Sequence, residues 1–251
     1  MKQDLHTPIH RSFRMTRADF FLTLVPALFW FLTIEARPLW ITPRCASQPE
    51  LCQKQRIPPV DQFSFGFENM SADELSTLSQ NLSGALALSL PNLWTLSQWA
   101  MARLTPYAAF IQIAQNLVLI VQTTAWNGLL TELSHALSQR PRPFVYLHPE
   151  ERGKDPSHYV SFYSGHTSFT VAMGVATVLI FLIRGAPYFL VVGSLVGMEC
   201  LGISTAYLRI LAGRHFFSDV LFGAMAGVLV AATVIGLHRA QRKALLSPHP
   251  E

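Results

Sequence analysis

The sequence predicts an all-α integral membrane protein, in which residues 1–251 form one domain built as a bundle of about six transmembrane helices. Three observations predict this fold class. Charged residues make up 14% of the 251 residues, well below the roughly 25% of an ordinary soluble domain. Hydrophobic residues make up 50%, and the mean hydropathy is +0.29. The apolar residues also gather in stretches that approach the roughly 20 helical residues needed to cross a hydrocarbon core.

Six stretches of the chain qualify as membrane spans. They are 20–34, 82–102, 107–130, 167–183, 188–207 and 220–237. The second stretch is the weakest, because Ser, Asn and Gln residues are scattered through it. The polar segment 71–82 before it has spaced leucines and is expected to be a surface helix that leads back into the bilayer. The last stretch is rich in Gly and Ala, which favours close packing of helices in lipid.

The same composition excludes several other classes of protein. Intrinsic disorder requires low hydrophobicity and high charge, and this chain has neither. Three cysteines are too few for a disulfide scaffold. The pI of 9.1 and net charge of +4 invite a nucleic-acid-binding interpretation. We reject it, because the charges lie between apolar runs and form no basic face.

With six spans, both termini lie on the same side of the membrane. Nine basic residues flank the spans on that side, which favours a cytoplasmic location for the termini. They are Lys2, Arg11, Arg14, Arg17, Arg103, Arg184, Arg239, Arg242 and Lys243. The other ten basic residues lie opposite, mostly in long loops where the rule is weaker, or in the motifs described below. This topology places 42–81, 131–166 and 208–219 on the outer side.

Two cysteines, Cys45 and Cys52, fall in the first outer loop. In an oxidising compartment they could form a local disulfide. The alternative is that both are unpaired loop cysteines. Cys200 lies inside the fifth span, where we expect it to serve packing.

Three polar clusters lie at span ends on the predicted outer side, and the first joins the fifth span to the sixth. It reads Arg209-x5-His215-x3-Asp219. Residues four apart share a face of a helix, so Asp219 can keep one nitrogen of His215 protonated and free the other as a base or nucleophile. Arg209 can donate hydrogen bonds to a phosphate oxygen. The alternative is a solvated turn whose charges mark the lipid headgroup boundary.

The second cluster is Ser164-Gly165-His166, immediately before the fourth span. Gly165 allows the backbone to approach a ligand closely, and a helix start offers unpaired N–H groups to an anion. Ser164 adds a hydroxyl, and His166 can protonate a leaving oxygen. The alternative is an ordinary serine cap on a membrane helix, with His166 at the interface.

The third cluster is Arg140-Pro141-Arg142-Pro143, with His135 seven residues before Arg142. Arginines held by prolines form a stiff cationic edge that suits bidentate phosphate contacts. For Arg140 the alternative, non-specific binding of anionic headgroups, is preferred.

Together the three clusters favour metal-free phosphoryl transfer. They supply a histidine nucleophile, a histidine acid, and donors for the charge on the phosphoryl oxygens. Neither Cys/His nor carboxylate residues have spacing that indicates a metal site. We therefore expect neither a metal nor a cofactor.

The order and spacing of these motifs resemble the type-2 phosphatidic acid phosphatase superfamily, which includes bacterial lipid phosphatases, soluble acid phosphatases and vanadium haloperoxidases. That family carries Lys-x6-Arg-Pro, then Pro-Ser-Gly-His, then Ser-Arg-x5-His-x3-Asp. The matching segments here lie within 135–219, and the N-terminal 80 or so residues match in layout alone. The resemblance implies an α-helical bundle with its active site at the outer, periplasmic face.

The resemblance also implies roles for individual residues. His215 resembles the nucleophile that forms a phosphohistidine, Asp219 the carboxylate that orients it, and His166 the general acid. The residues that resemble phosphate-binding groups are Arg142, Arg209, Ser164, Gly165 and His135.

The sequence departs from the family pattern at three positions. His135 stands where the family has lysine, Tyr163 where it has proline, and Leu208 where it has serine. The first departure weakens, removes or makes pH-dependent one phosphate contact, for which Arg140 could partly substitute. The residues that match the nucleophile, the acid and the orienting carboxylate are all present, so we expect activity with altered substrate preference or rate.

The leading hypothesis is a membrane lipid phosphatase that acts on a lipid phosphate or pyrophosphate. Undecaprenyl pyrophosphate, phosphatidylglycerophosphate, phosphatidic acid and lipid A phosphates are all candidates. We expect a bacterial inner membrane location, a phosphorylated lipid as substrate, no nucleic acid and no obligate protein partner.

Three other functions remain open. The same histidine could pass the phosphoryl group to a lipid acceptor, which makes the protein a phosphotransferase. Haloperoxidase chemistry would require bound vanadate, and the membrane-embedded layout argues against it. A lipid-phosphate binding or transport protein without catalysis is the non-enzyme alternative, because interfacial charges also mark transport paths.

Overall fold

The computed structural model describes residues 15–246, with side chains as far as His238. It contains six long helices and, within the described residues, no β-strand. We number the long helices α1 (Arg17–Glu35), α2 (Met70–Ala100), α3 (Pro106–Ser138), α4 (Gly165–Arg184), α5 (Tyr188–Leu211) and α6 (Phe217–Leu246). Between them run only short helical turns, such as Pro59–Ser64 and Pro143–Tyr146.

Five of these helices are long and apolar enough to cross a membrane, which confirms the predicted all-α membrane bundle. The exception is α2, whose many Ser, Thr, Asn and Gln residues lower its hydropathy. Its 31 residues span about 46 Å, which exceeds the hydrocarbon thickness. The structure joins the expected surface helix 71–82 and the expected span 82–102 into this one helix, and the count of six spans stays a prediction.

Local sequence signals explain where the helices begin. Asn69 and Thr105 accept hydrogen bonds from Ala72 N and Ala108 N, and so cap α2 and α3. Pro106 follows at the first position of α3, where its missing N–H costs no hydrogen bond. At the C-terminal end of α4, Gly185 adopts a left-handed conformation with φ of 65°, as is common at helix C-termini.

The centre of the bundle is α4, which packs against α2, α3, α5 and α6. Small residues let these helices approach closely: a Cβ at Gly227 would lie 2.3 Å from the carbonyl oxygen of Ser168. Most of α1 faces outward and packs mainly on α3. Near its start, Oδ1 of Asp19 also lies 3.6 Å from Nδ1 of His238 on α6. The phenylalanines of α1, Phe20 and Phe21 among them, are exposed on the outside of the bundle, as expected for side chains that face lipid.

The end of the bundle that carries the motifs is covered by a packed layer of loops. The Cys45–Cys52 disulfide, with Cα atoms 5.6 Å apart, lies in this layer, so the structure contains the bond that the sequence left open. The hydroxyl of Tyr159 accepts hydrogen bonds from Arg44 N and Cys45 N and ties the disulfide loop to the segment before α4. The layer is thereby fixed above the ends of α3, α4, α5 and α6.

Candidate active site

A cavity of about 320 Å³ opens at the loop-covered end of the bundle, and residues of α1, α2, α3, α4 and α5 line it. The C-terminal parts of α3 and α5, the start of α4 and the turn before α6 all contribute to its wall. The sequence-predicted site residues in the wall are His135, Arg142, Gly165, His166, Arg209 and His215. The fold therefore brings together the three clusters that are separated by up to 80 residues in the chain.

His215 lies in the turn between α5 and α6 and is buried at the cavity wall. Its Nδ1 lies 2.7 Å from the carbonyl oxygen of Ser161, which can only accept. The ring proton is therefore on Nδ1, and in the neutral ring Nε2 carries the lone pair. Burial, together with the positive charges of Arg209 and Arg142, holds the pKa of His215 well below its usual value of 6.5. The geometry and the charges therefore favour a neutral imidazole whose Nε2 has no hydrogen-bond partner among the described residues.

Asp219 does not hold His215 directly, which differs from the expectation. Its Oδ2 is 4.0 Å from Nδ1 of His215 and instead accepts from the Ser161 hydroxyl at 2.5 Å and from Phe216 N at 2.8 Å. The expectation assumed that both residues lie on one helix, but α6 begins only at Phe217. Ser161 contacts both residues and so links Asp219 to His215.

Arg140 faces away from the cavity, so it does not replace the missing lysine. Its guanidinium donates to Asp219 at 2.5 Å and to Asp61 at 2.6 Å, and it lies over the ring of Phe216. Asp61 in turn accepts from the backbone N–H and hydroxyl of Ser218. These contacts fasten the loop layer to the first turn of α6 and offset the buried charge of Asp219.

The two cavity arginines of the predicted phosphate site keep donors free. Nη1 of Arg209 donates to Asp73 of α2 at 2.5 Å, and Asp73 also receives a hydrogen bond from Arg214 at 2.7 Å. The Nε atoms of Arg142 and Arg209 are buried and have no hydrogen-bond partner. Buried donors without a partner are rare, so an anion in the cavity would satisfy them.

The three predicted site residues at the start of α4 do not all line the cavity. Gly165 and His166 lie in the cavity wall, and Nε2 of His166 is 3.4 Å from the Thr77 hydroxyl. Ser164 is buried behind the wall, where its hydroxyl oxygen accepts from the Thr167 hydroxyl at 3.0 Å and from Thr167 N at 3.4 Å. Ser164 is therefore seen as a helix cap, and its contact with phosphate stays a prediction.

His135 is hydrogen-bonded through Nε2, while its buried Nδ1 has a carboxylate nearby but no hydrogen-bond partner. Nε2 lies 3.1 Å from the carbonyl oxygen of Tyr163, and Nδ1 lies 3.4 Å from Glu132. Glu132 also binds Arg37, which donates to it through Nε at 2.9 Å and Nη2 at 2.5 Å. Arg37, from the turn after α1, and Glu132 both line the cavity.

Sequence reasoning missed the residues that hold the motif residues in place: Arg37, Asp61, Asp73, Glu132 and Ser161. One signal was available, because Glu132 is an ionisable residue near the end of an apolar span, and such residues are functional candidates. The others come from loops and helix ends that are distant in sequence, and no local spacing indicates their contacts. Among the described residues, there is no group of three or more His, Cys, Asp or Glu residues that could hold a metal ion.

The comparisons with known proteins agree with the motif order. No curated protein and no solved structure gives a significant match to the chain. The sequence profile of the PAP2 superfamily matches residues 116–243. These residues include α4, α5 and every predicted site residue, and they make up half of the chain. The predicted resemblance is thereby confirmed, and the chain belongs to the PAP2 superfamily.

Proposed function

We propose that the protein is a membrane lipid phosphatase that works through a phosphohistidine at Nε2 of His215. Its superfamily indicates a phosphatase that acts on phosphate esters. The observation that carries the proposal is the placement of His215: the Ser161 carbonyl holds its Nδ1, and its ring lines a cavity together with Arg142, Arg209 and His166.

In the first step, the Nε2 lone pair attacks phosphorus and the bond from phosphorus to the lipid oxygen breaks. His166 gives a proton to that oxygen, so the lipid leaves as an alcohol or as a phosphate ester. Arg142, Arg209 and the backbone N–H of Gly165 donate to the phosphoryl oxygens, where charge accumulates in the transition state. The ring proton stays on Nδ1, where the Ser161 carbonyl stabilises the positive ring of the phosphohistidine.

In the second step, water attacks the phosphohistidine on phosphorus. His166 takes a proton from the water, the bond from phosphorus to Nε2 breaks, and inorganic phosphate leaves. His215 returns to its neutral form with the proton still on Nδ1. Each group ends the cycle in the state in which it began.

The character of the cavity supports a lipid phosphate as substrate. Arg37, Arg142 and Arg209 outweigh Glu132 in charge, so the wall carries a net positive charge that suits a phosphate dianion. The wall also includes Trp30 and Ile34 of α1 and Phe169 of α4. These side chains lie on membrane-spanning helices, where they can contact the apolar part of a lipid.

A bacterial inner membrane with the site on the periplasmic side is part of this proposal. The Cys45–Cys52 disulfide supports it, because disulfides persist in oxidising compartments. The basic-residue argument becomes weaker, because Arg184 is buried and bonded to Asn116. Lys2, Arg11 and Arg14 lie outside the described residues, as do the side chains of Arg239, Arg242 and Lys243.

The test is phosphate release in detergent from a panel of lipid phosphates and pyrophosphates, with EDTA present. We expect release by the wild type and by His148→Ala, an exposed loop histidine that serves as control, but not by His215→Ala. Full turnover by His215→Ala contradicts the mechanism, and loss of release with EDTA contradicts its metal independence. A phosphorylated lipid product in place of free phosphate indicates phosphotransfer, and binding of substrate without turnover indicates a non-catalytic protein.

A further inference from the structure

Two arginines of the cavity are held in the same way. Arg209 of α5 donates to Asp73 of α2, and Arg37 donates through two nitrogens to Glu132 of α3. Each carboxylate comes from a different helix and fixes its guanidinium without using all five of its N–H donors. No described residue accepts a hydrogen bond from Nη1 of Arg37. The side chain is 24% exposed, and Arg37 lines the cavity. Arg37 thus presents a fixed cation with free donors.

The contacts around Glu132 place this cation beside the phosphate site. Glu132 is buried, and its second neighbour is Nδ1 of His135. His135 in turn contacts the carbonyl oxygen of Tyr163, two residues before the Gly165 N–H. Arg37 is therefore connected to the start of α4 through Glu132 and His135, while Arg142 and Arg209 act on the pKa of His215 directly.

We propose that Arg37 binds a second phosphate group, so that the preferred substrate is a lipid diphosphate. This inference rests on the proposed function. The transferred phosphate lies at His215, served by Arg142 and Arg209, and the neighbouring phosphate of the leaving group lies at Arg37. Three guanidiniums against the single carboxylate of Glu132 leave two net positive charges in the wall. That charge suits a diphosphate monoester better than a single phosphate group.

The reaction that follows is balanced without a further reactant. His215 attacks the terminal phosphorus, the bond from that phosphorus to the bridging oxygen breaks, and His166 protonates the bridging oxygen. The lipid monophosphate leaves with Arg37 beside it. Water then releases inorganic phosphate from His215 as in the proposed function.

The experiment compares farnesyl diphosphate with farnesyl monophosphate, which have the same chain, and measures initial phosphate release in detergent. We expect Arg37→Gln to lower the ratio of kcat/KM for the diphosphate to that for the monophosphate by tenfold or more, mainly through KM. Arg37→Lys should restore part of the ratio, because it keeps the charge but loses the fork of donors. Arg17→Gln, at the exposed start of α1, should leave the ratio unchanged.

A second variant separates binding from folding. Arg37→Gln leaves the buried carboxylate of Glu132 without its main partner, which can destabilise the protein. The double variant Arg37→Gln/Glu132→Gln removes both charges, and we expect the same loss of diphosphate preference. A ratio within twofold of the wild type in both variants overturns the inference. A wild type that hydrolyses only the monophosphate also overturns it but leaves the proposed function intact, whereas a wild type that hydrolyses neither compound contradicts both.

Discussion

At the scale of single residues, a backbone carbonyl and not a carboxylate sets the tautomer of His215. The Ser161 carbonyl accepts from Nδ1, and Asp219 reaches the ring only through Ser161. In serine protease triads the carboxylate contacts the histidine, and its change to asparagine costs about 10⁴ in kcat because the wrong tautomer forms.

We therefore expect Asp219→Asn to lower kcat by roughly 10- to 100-fold, less than in such triads. This variant keeps the tautomer of His215, because the Ser161 carbonyl is unchanged. It alters the position of Ser161 and removes the negative charge that pairs with Arg140. Ser161→Ala removes the hydroxyl link and keeps the carbonyl, so its loss should be similar or smaller. The measurement is kcat for phosphate release. A loss of about 10⁴ in Asp219→Asn would show that the carboxylate contacts the ring during catalysis.

The titration of His215 is a second residue-scale prediction. Burial lowers its pKa from 6.5, and the charges of Arg209 and Arg142 lower it further. In histidine-labelled protein without substrate, the imidazole signal that His215→Ala removes should not titrate between pH 8 and pH 6. Since the unfolded chain binds this proton more readily, folding stability from this group falls as the pH drops below 6.5, by up to about 1.4 kcal/mol per pH unit. A midpoint at or above 6.5 in the NMR titration would contradict the neutral nucleophile.

The sequence predicts which residues carry the chemistry better than it predicts how they are held. His215, His166, Arg142 and Arg209 are recognisable because the motif spacings are local, and they share one cavity. The direct contact between Asp219 and His215 is not seen, since it depended on where α6 begins. The contact between Arg37 and Glu132 joins residues that are 95 positions apart, which no spacing rule can indicate.

At the scale of helices, the close approach of α6 to α4 positions the two halves of the site. The start of α4 carries Gly165 and His166, and the start of α6 follows His215. Gly227 faces the backbone of α4, where an added Cβ would meet the Ser168 carbonyl at 2.3 Å. Gly223 faces the backbone of Ser164 in the same way, so Gly223 and Gly227 both serve close packing of α6 on the start of α4.

We expect Gly227→Ala to destabilise the protein by about 1–3 kcal/mol, as overpacking does, and to lower kcat by moving α6 away from α4. Gly236→Ala on the same helix is the control, because nothing lies within 4 Å of its added Cβ. Thermal unfolding in detergent and phosphate release measure the two effects. Equal stability of the two variants would contradict the tight α4–α6 contact.

The helices also show where hydropathy is a limited guide. Continuous apolar stretches predict α1, α3, α4, α5 and α6, because lipid-facing and core-facing sides are both apolar. The polar residues of α2 face neighbouring helices in part: the hydroxyl of Ser79 lies 2.8 Å from that of Thr205 on α5. Contacts of this kind satisfy polar groups inside the bundle, and a hydropathy window counts them as unfavourable.

At the scale of the whole molecule, the state of the disulfide tests which side of the membrane the site faces, because disulfides persist in oxidising compartments. If Cys45 and Cys52 lie in an oxidising compartment, the denatured but unreduced protein should contain one alkylatable thiol, Cys200. Replacing both cysteines with serine should cost about 2–3 kcal/mol for a loop of this length. Mass spectrometry after alkylation counts the thiols, with a reduced sample as control. Three free thiols in the unreduced protein from native membranes would contradict the periplasmic placement.

The central claim concerns one covalent bond, so trapping that bond is the most direct test. The protein is mixed with farnesyl monophosphate or diphosphate, quenched in alkali within one turnover, digested and analysed by mass spectrometry. The account predicts a phosphate group on the peptide that contains His215, attached at Nε2 and absent from His215→Ala, while His148→Ala retains it. A phosphate group on any other residue, or phosphate release by His215→Ala at the wild-type rate, would contradict the account.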